Sequence, residues 1–308
     1  MKLTEQPLLQ EQELHVLYER AKLAGLSYSQ RLLKQPQYGD TLSRFRGSGM
    51  DYEDSRSYEP GDEPRFFNWR LMARTGKAHV KVFREERRPS VFIMLDRRVS
   101  MRFGTRKRLK ITQANRMAAL IAFAALHQGW SVAGVLLDEQ VQWFPASQEE
   151  ANIWHFLEQA SQAAPPQERH TSVDMQAVLA ELPEYVLPGM HIYLLSDFMQ
   201  DAQQDYVNLV PLVKDNPLLA VQIVDAAECE LSGLGTLELQ GMCGEGADKL
   251  STVNTADESL RKEFRHAANH YRQDIERQFA KYGVNYYQLK AEDDKPEDTV
   301  PLPQAGVE

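Results

Sequence analysis

Residues 91–104 read VFIMLDRRVSMRFG. Five consecutive apolar residues leave no polar face, which is the pattern of a strand covered on both sides. The run stops at Asp96. The same pattern returns at residues 191–197, HIYLLSD, which stops at Ser196 and Asp197, and a third apolar run covers residues 219–224. Helical stretches lie between them, at about residues 108–128, 149–163, 173–182 and 203–214. The first of these holds MAALIAFAAL (residues 117–126), apolar almost all round. A bilayer needs about twenty such residues, so this reads as a buried helix. Pro165 and Pro166 close the second stretch, and Thr171 or Ser172 caps the third. Residues 131–137 and 141–144 read as two strands joined by Asp138, Glu139 and Gln140. A charged amphipathic helix at 257–281, closed by Gly283, leads to a last strand at 284–289. Alternating strands and helices predict an α/β fold, a mostly parallel sheet with helices on both faces. Such sheets bind ligands at the carboxyl ends of their strands. Asp96 and Asp197 are placed at that rim.

Working outward, residues 7–34 form a helix with Leu14, Leu17, Tyr18 and Ala21 on one face. Residues 40–77, rich in Gly, Pro, Ser and charge, read as an ordered loop region with short elements, and 79–83 as a strand. Trp69 is expected to be a core anchor. Residues 226–254 are Gly-rich and read as a β-hairpin excursion. The tail from 291, acidic and Pro-containing, is expected to be disordered. The expected parts are thus residues 1–89, a helix and signature region packing on the sheet; residues 90–290, the α/β domain; and residues 291–308, a disordered acidic tail.

The 308 residues are 43% hydrophobic and 26% charged, a globular balance. The net charge of −9 hides a split: residues 56–110 carry 16 basic and 6 acidic residues, so this segment is +10 and the remainder −19. A uniformly basic nucleic-acid binder is excluded. Residues 97–110 hold Arg97, Arg98, Arg102, Arg106, Lys107, Arg108 and Lys110 with no acid. Arg97, Arg102, Arg106, Lys107 and Arg108 are the candidate contacts for an acidic protein partner. Nucleic acid is the weaker candidate, since no recognition module or aromatic interleaving accompanies the charges. The N-terminus, MKLTEQPLLQEQEL, has acids where a signal peptide needs an apolar core, so no membrane span and a cytoplasmic location are expected. Cys229 and Cys243 have neither CxxC nor zinc spacing. The P-loop, GxSxG and HExxH patterns are missing. His266 and His270 stand four apart on the charged helix without a third ligand and read as surface residues.

The segment upstream of the first strand, GSGMDYEDSRSYEPGDEPRFFNWRLMARTGKAHVKVFREE (47–86), carries an ordered series of residues: Arg56, Tyr58, Pro60, Gly61, Asp62, Arg65, Trp69, Ala73, Arg74, Val80, Lys81 and Glu85 or Glu86. Asp96 and the run Ser100-Met101-Arg102-Phe103-Gly104 continue it. This series resembles the signature of the bacterial family called domain of unknown function fifty-eight, and the resemblance extends over about residues 25–290. It departs at Asn68, where the family usually has Asp before the Trp.

The resemblance implies a von Willebrand factor A-like fold, a Rossmann-type sheet. It also implies a metal-ion-dependent adhesion site of the form Asp-x-Ser-x-Ser, with a Thr from a later loop and an Asp after a later strand. Hydroxyls and carboxylates of this kind suit Mg²⁺. The matching positions are Asp96, Ser100, Thr171 or Ser172, and Asp197. Arg98 stands where the middle Ser belongs. Beside two carboxylates it would repel an ion and supply the positive charge itself, so the expected site is degenerate, with no cofactor or only weakly bound Mg²⁺. The resemblance further implies a non-enzymatic adaptor that partners a MoxR-type AAA+ ATPase. The alternatives are a Mg²⁺-dependent binding module with a working site and a metal-dependent hydrolase using the two carboxylates. The signature arginines have two readings, internal clamps on Asp54, Asp62 and Glu63 or a basic contact surface. Pro60-Gly61-Asp62 reads as a turn.

Overall fold

The structure, a computed structural model, describes residues 7–34, 51–59, 62–84, 89–165, 173–199, 205–240 and 250–304. In chain order the elements are α1 (Glu11–Lys34), β1 (Asp51–Ser57), α2 (Trp69–Thr75), β2 (His79–Arg84), β3 (Ser90–Asp96), α3 (Lys110–His127), β4 (Ser131–Leu137), β5 (Val141–Ser147), α4 (Glu150–Ala160) and α5 (Met175–Glu181). They continue with β6 (His191–Ser196), α6 (Val210–Val213), β7 (Leu218–Val224), α7 (Ala226–Cys229), β8 (Thr236–Gln240), β9 (Leu250–Asn254), α8 (Glu258–Lys281) and β10 (Asn285–Lys290). The chain forms two compact units, Met1–Lys34 with Pro89–Glu308, and Gln35–Arg88.

The larger unit is mixed α/β. Its six-stranded sheet has the order β10-β7-β6-β3-β4-β5. The first five strands run parallel, and β5 closes one edge antiparallel to β4. The apolar runs are explained by helices on both faces. Val91, Ile93 and Leu95 of β3 pack into one buried cluster with α1, α3 and α4. Phe92 and Met94 pack into the other, with α5, α6 and α8. α3 is buried along most of its length, and Leu14, Leu17 and Ala21 of α1 are buried in the same cluster. The N-terminal helix thus belongs to the larger unit and not with the signature region at 1–89. No helix among the described residues is long and apolar enough to cross a membrane.

Several helix ends differ from the sequence reading: α1 starts at Glu11 and not at residue 7, and the helix expected at about 203–214 is α-helical only over Val210–Val213. α4 stops at Ala160, well before Pro165, and α5 is capped by Asp174, which accepts from the Gln176 N–H at 3.0 Å. β8 and β9 pair antiparallel as the expected hairpin.

The tail is a further correction. Residues 291–304 are placed against the larger unit: Ala291 and Val300 are buried and Pro296–Asp298 makes a 3₁₀ turn. Backbone carbonyls of Ala291 and Asp293 accept from Arg108 at 3.1 and 2.8 Å, and Arg20 pairs with Glu297. Composition suggested disorder because the acids looked solvated, whereas Asp294 and Glu297 are bonded to the chain's own bases.

The smaller unit pairs β1 with β2 antiparallel and adds α2. α2 starts at Asn68, whose Oδ1 accepts from the Leu71 N–H at 3.1 Å, while its Nδ2 donates to Ser55 Oγ at 2.9 Å. Asn at this signature position therefore acts as a helix cap. Trp69 is not a core anchor: it is 62% exposed. α2 buries no residue, so there is no core beneath it, and its ring meets Phe67 edge-on at 5.3 Å.

Candidate functional site

Four neighbouring strands, β7, β6, β3 and β4, end in an aspartate: Asp225, Asp197, Asp96 and Asp138. Each lies at the carboxyl rim, and each is met by a residue from the segment 97–110.

Asp96 is fully buried and Arg98 is 3% exposed. Arg98 Nε donates to Asp96 Oδ1 at 3.0 Å and Nη2 to Oδ2 at 2.8 Å, a two-pronged pair of the kind a guanidinium makes best. The Arg98 N–H adds a bond to Oδ1 at 2.9 Å and Ser196 Oγ one to Oδ2 at 2.5 Å. Asp197 is bound by Lys110 Nζ at 2.8 Å, by Ser100 Oγ at 3.2 Å and by the Met199 N–H at 3.1 Å. Lys110 also pairs with Glu228. Burial by itself would raise the Asp197 pKa, but the Lys110 charge and hydrogen bond, with the Met199 N–H and Arg98, hold it below the usual carboxylate range. Lys110 shows the converse: burial works against its charge, yet Asp197 and Glu228 hold its pKa above the usual value. For Glu228 burial dominates and pushes the carboxyl up.

Asp138 takes Arg97 Nε at 2.9 Å and Arg102 Nη2 at 2.5 Å. Arg97 also donates to the carbonyls of Gln159, Ala160 and Gln162. Gln159 and Ala160 lie in the last turn of α4, where carbonyls lack the usual helical donors, and Arg97 supplies one to each. Asp225 accepts from the Thr105 N–H at 2.9 Å and from its hydroxyl. Gly104 makes this path possible, since a Cβ there would lie 2.5 Å from the Arg108 carbonyl.

The basic segment is therefore mostly consumed inside the molecule. Arg97 and Arg102 are buried and do not form the expected partner surface. Arg108 is bound to the carbonyls of the tail, and Lys107 to Asp294 at 2.6 Å. Arg106 alone of the five forms no ion pair among the described residues and stays exposed. The reason lies in the topology, which brings four strand-end carboxylates under this one loop.

Of the sequence-predicted site, the structure brings Asp96, Arg98, Ser100 and Asp197 together. Thr171 and Ser172 lie outside the described residues. Lys110, Asp138, Asp225 and Glu228 were missed. Asp138 and Asp225 carry the signal already used for Asp96, an apolar strand followed by Asp, in VAGVLLD and AVQIVD. Lys110 has no local signal. In the smaller unit Arg56 holds Asp62 at 2.5 Å and Arg65 holds Glu63. The N–H of Glu59 and the Arg56 fork keep the Asp62 carboxyl below its usual range. Tyr58 meets Phe67 edge-on at 5.2 Å; Arg74 is exposed in the last turn of α2, and Lys81 stands opposite Ser55 on β2. Pro60, Gly61, Glu85 and Glu86 lie outside the described residues.

Fold and rim together define a mostly parallel α/β protein in which the strand-end carboxylates Asp96, Asp138 and Asp197 are paired with bases of its own loop and helix start, while Asp225 accepts from Thr105. The chain belongs to the family described as protein of unknown function DUF58, whose model matches residues 54–274. It is similar to Uncharacterized protein Mb1516 of Mycobacterium bovis and Uncharacterized protein Rv1480 of Mycobacterium tuberculosis, each 24% identical over 265 residues, 85% of this chain and 81% of theirs. Among solved structures it is similar to the conserved hypothetical protein BatB from Bacteroides thetaiotaomicron, with a TM-score of 0.39 and 12% identity over 69% of this chain and 95% of that one. An uncharacterized membrane spanning protein from Vibrio fischeri matches with a TM-score of 0.24, 16% identity and the same coverage.

Proposed function

We propose that this DUF58 chain is a non-enzymatic interaction protein, a von Willebrand factor A-like adaptor for a MoxR-type AAA+ ATPase, whose adhesion site is degenerate. The observation that carries the site reading is the Arg98 fork on Asp96. Lys110 on Asp197 supports it from the other carboxylate. Mg²⁺ takes oxygen ligands in an octahedron. The residues here do not fit it: two protonated side chains occupy the shell, and Asp96 already accepts four hydrogen bonds. What this arrangement can do chemically is hold shape. Carboxylates bonded in this way and buried have no reach to a substrate, which favours binding over hydrolysis. The ATPase as partner rests on the family resemblance.

Two measurements test the proposal. Calorimetric titration with Mg²⁺ or Mn²⁺ is expected to show no micromolar site, and micromolar binding that disappears in Asp96→Ala would overturn the degenerate reading in favour of a working metal module. A pull-down with the purified cognate ATPase, with and without Mg²⁺ and ATP, is expected to recover it in at least one nucleotide state. Recovery in none removes the partner.

A further inference from the structure

We infer that α7 and the first half of α8 form a two-part groove for an acidic peptide segment bearing one apolar anchor. The inference rests on the interaction-protein reading and adds the chemistry of what is bound.

The apolar part is a cavity of about 240 Å³ whose apolar lining is Met199, Val224, Phe264, Ala267, Ala268 and Tyr271; Arg272 also lines it, as do Asp197 and Glu228, both paired with Lys110. This is below the roughly 300–1,000 Å³ of sites that take whole ligands and suits a single side chain. Met199 is exposed at its mouth because Phe198 adopts φ 54°, a left-handed conformation that is unusual for a bulky residue. The neighbours enforce that conformation. The Phe198 N–H donates to Ser196 Oγ at 3.0 Å, Tyr271 Oη donates to the Phe198 carbonyl at 2.9 Å, and the Phe198 ring is buried against Tyr206 and Phe279. Strain of this kind points to a role for the turn. Its result is a flexible, polarizable side chain at an apolar opening, suited to varied partners.

The cationic part is a cleft of about 490 Å³ at the ends of β7 and β10, the rim where parallel sheets bind ligands. Arg106, Arg261, Lys262, Arg265 and Lys290 line it. Lys262 is taken by Glu258, Arg265 by Glu230, and the Asp225 carboxylate by Thr105. Arg106 and Lys290 form no ion pair among the described residues. Arg261 donates to the Thr255 carbonyl and lies across Gly233, where a Cβ would collide with it. Three cations, Arg106, Arg261 and Lys290, thus face two carboxylates that have no base as partner among the described residues, Asp225 and Glu292, a surplus of one positive charge. Cys229 lines both parts, so they adjoin. An apolar socket beside surplus positive charge is complementary to an apolar side chain flanked by acids. A small anion would use the cationic part alone.

The test is fluorescence anisotropy of the full chain with a labelled peptide, Glu-Asp-Ser-Leu-Asp-Glu. Two comparison peptides carry Ser-Ser at the centre or Lys at the acidic positions. Ala268→Phe fills the socket and Arg106→Glu with Lys290→Glu reverses the free charge; thermal melts check that each variant folds. Binding of the acidic apolar peptide is expected, weakened at least tenfold by either variant and by either change of peptide. No binding to the wild type, affinity unmoved by both variants, or equal affinity for the Ser-Ser peptide would overturn the inference, the last assigning the cleft to small anions or bare charge. The peptide experiment contains no ATPase, so it fails or succeeds independently of the pull-down.

Discussion

At Asp96 and Asp197 two buried carboxylates at the strand ends are treated alike in charge and differently in reach. Arg98 is two residues from Asp96 and closes its pair within the loop, whereas Lys110 begins α3 and reaches Asp197 across 87 positions of sequence. The first pair was legible in the motif, since Arg98 replaces a hydroxyl beside a carboxylate. The second was not, because no local pattern tells a lysine at a helix start that it will be buried. Lys110→Met is expected to destabilise the fold by about 3–5 kcal/mol, the cost of leaving a buried charge without its partner. The effect should depend on pH. In the wild type the Asp197 pKa is lowered, so its contribution is complete above the unfolded-state pKa of about 3.9 and is lost as pH falls through the lower folded value. Without Lys110, burial raises the pKa, and the folded state takes up a proton more readily than the unfolded chain. The loss from Lys110→Met should therefore be largest near neutrality and shrink below about pH 4, and adding Asp197→Asn should recover much of it. Urea unfolding of the three proteins across pH measures this; a loss independent of pH would remove Asp197 from the account.

Among elements, the loop and helix start at 97–110 form a strap over the rim. Its bases meet Asp138, Asp96 and Asp197, Thr105 takes Asp225, and Arg108 and Lys107 hold the tail at Asp294. Hydrogen bonds from Lys107 and Arg108 bring the Asp294 carboxyl down to about 2. The strands were readable because continuous apolar runs mean two covered faces. The destination of the strap's charge was not, because a run of seven bases looks the same in sequence whether it faces solvent or a row of aspartates. The tail was misread for the same reason, its acids being paired rather than solvated. If 291–304 is a structural clasp, deleting residues 292–308 should cost about 3 kcal/mol or more. The buried Val300 side chain accounts for about 1.5–3 kcal/mol of that, and the carbonyl acceptors lost by Arg108, Gln113 and Arg116 for the rest. Denaturant unfolding of the truncated chain tests this, with an unchanged midpoint expected of a disordered tail.

For the whole molecule, the +10 of residues 56–110 divides at the boundary between the two units, near Pro89. The part in the larger unit, Arg106 excepted, is held against its aspartates. In the smaller unit Arg56 and Arg65 pair with acids close in sequence. The larger unit has two apolar layers, and the described residues in both come from that unit. The smaller unit is different in kind. Among its described side chains only Val80 is buried, and its sheet has two strands, an arrangement that is at best marginally stable in water. The burial among these described residues is too small to offset the entropy of ordering the segment alone. The described part of the family signature upstream of β3 thus has little core of its own. Two excisions separate these energetics. The larger unit with residues 35–88 replaced by a short flexible linker is expected to keep a single cooperative thermal transition and its helical circular dichroism. The isolated segment 35–88 is expected to show no cooperative transition. A sharp melt from the isolated segment would show that it folds without the sheet, and loss of the transition from the linked unit would show that the sheet depends on the signature region for folding.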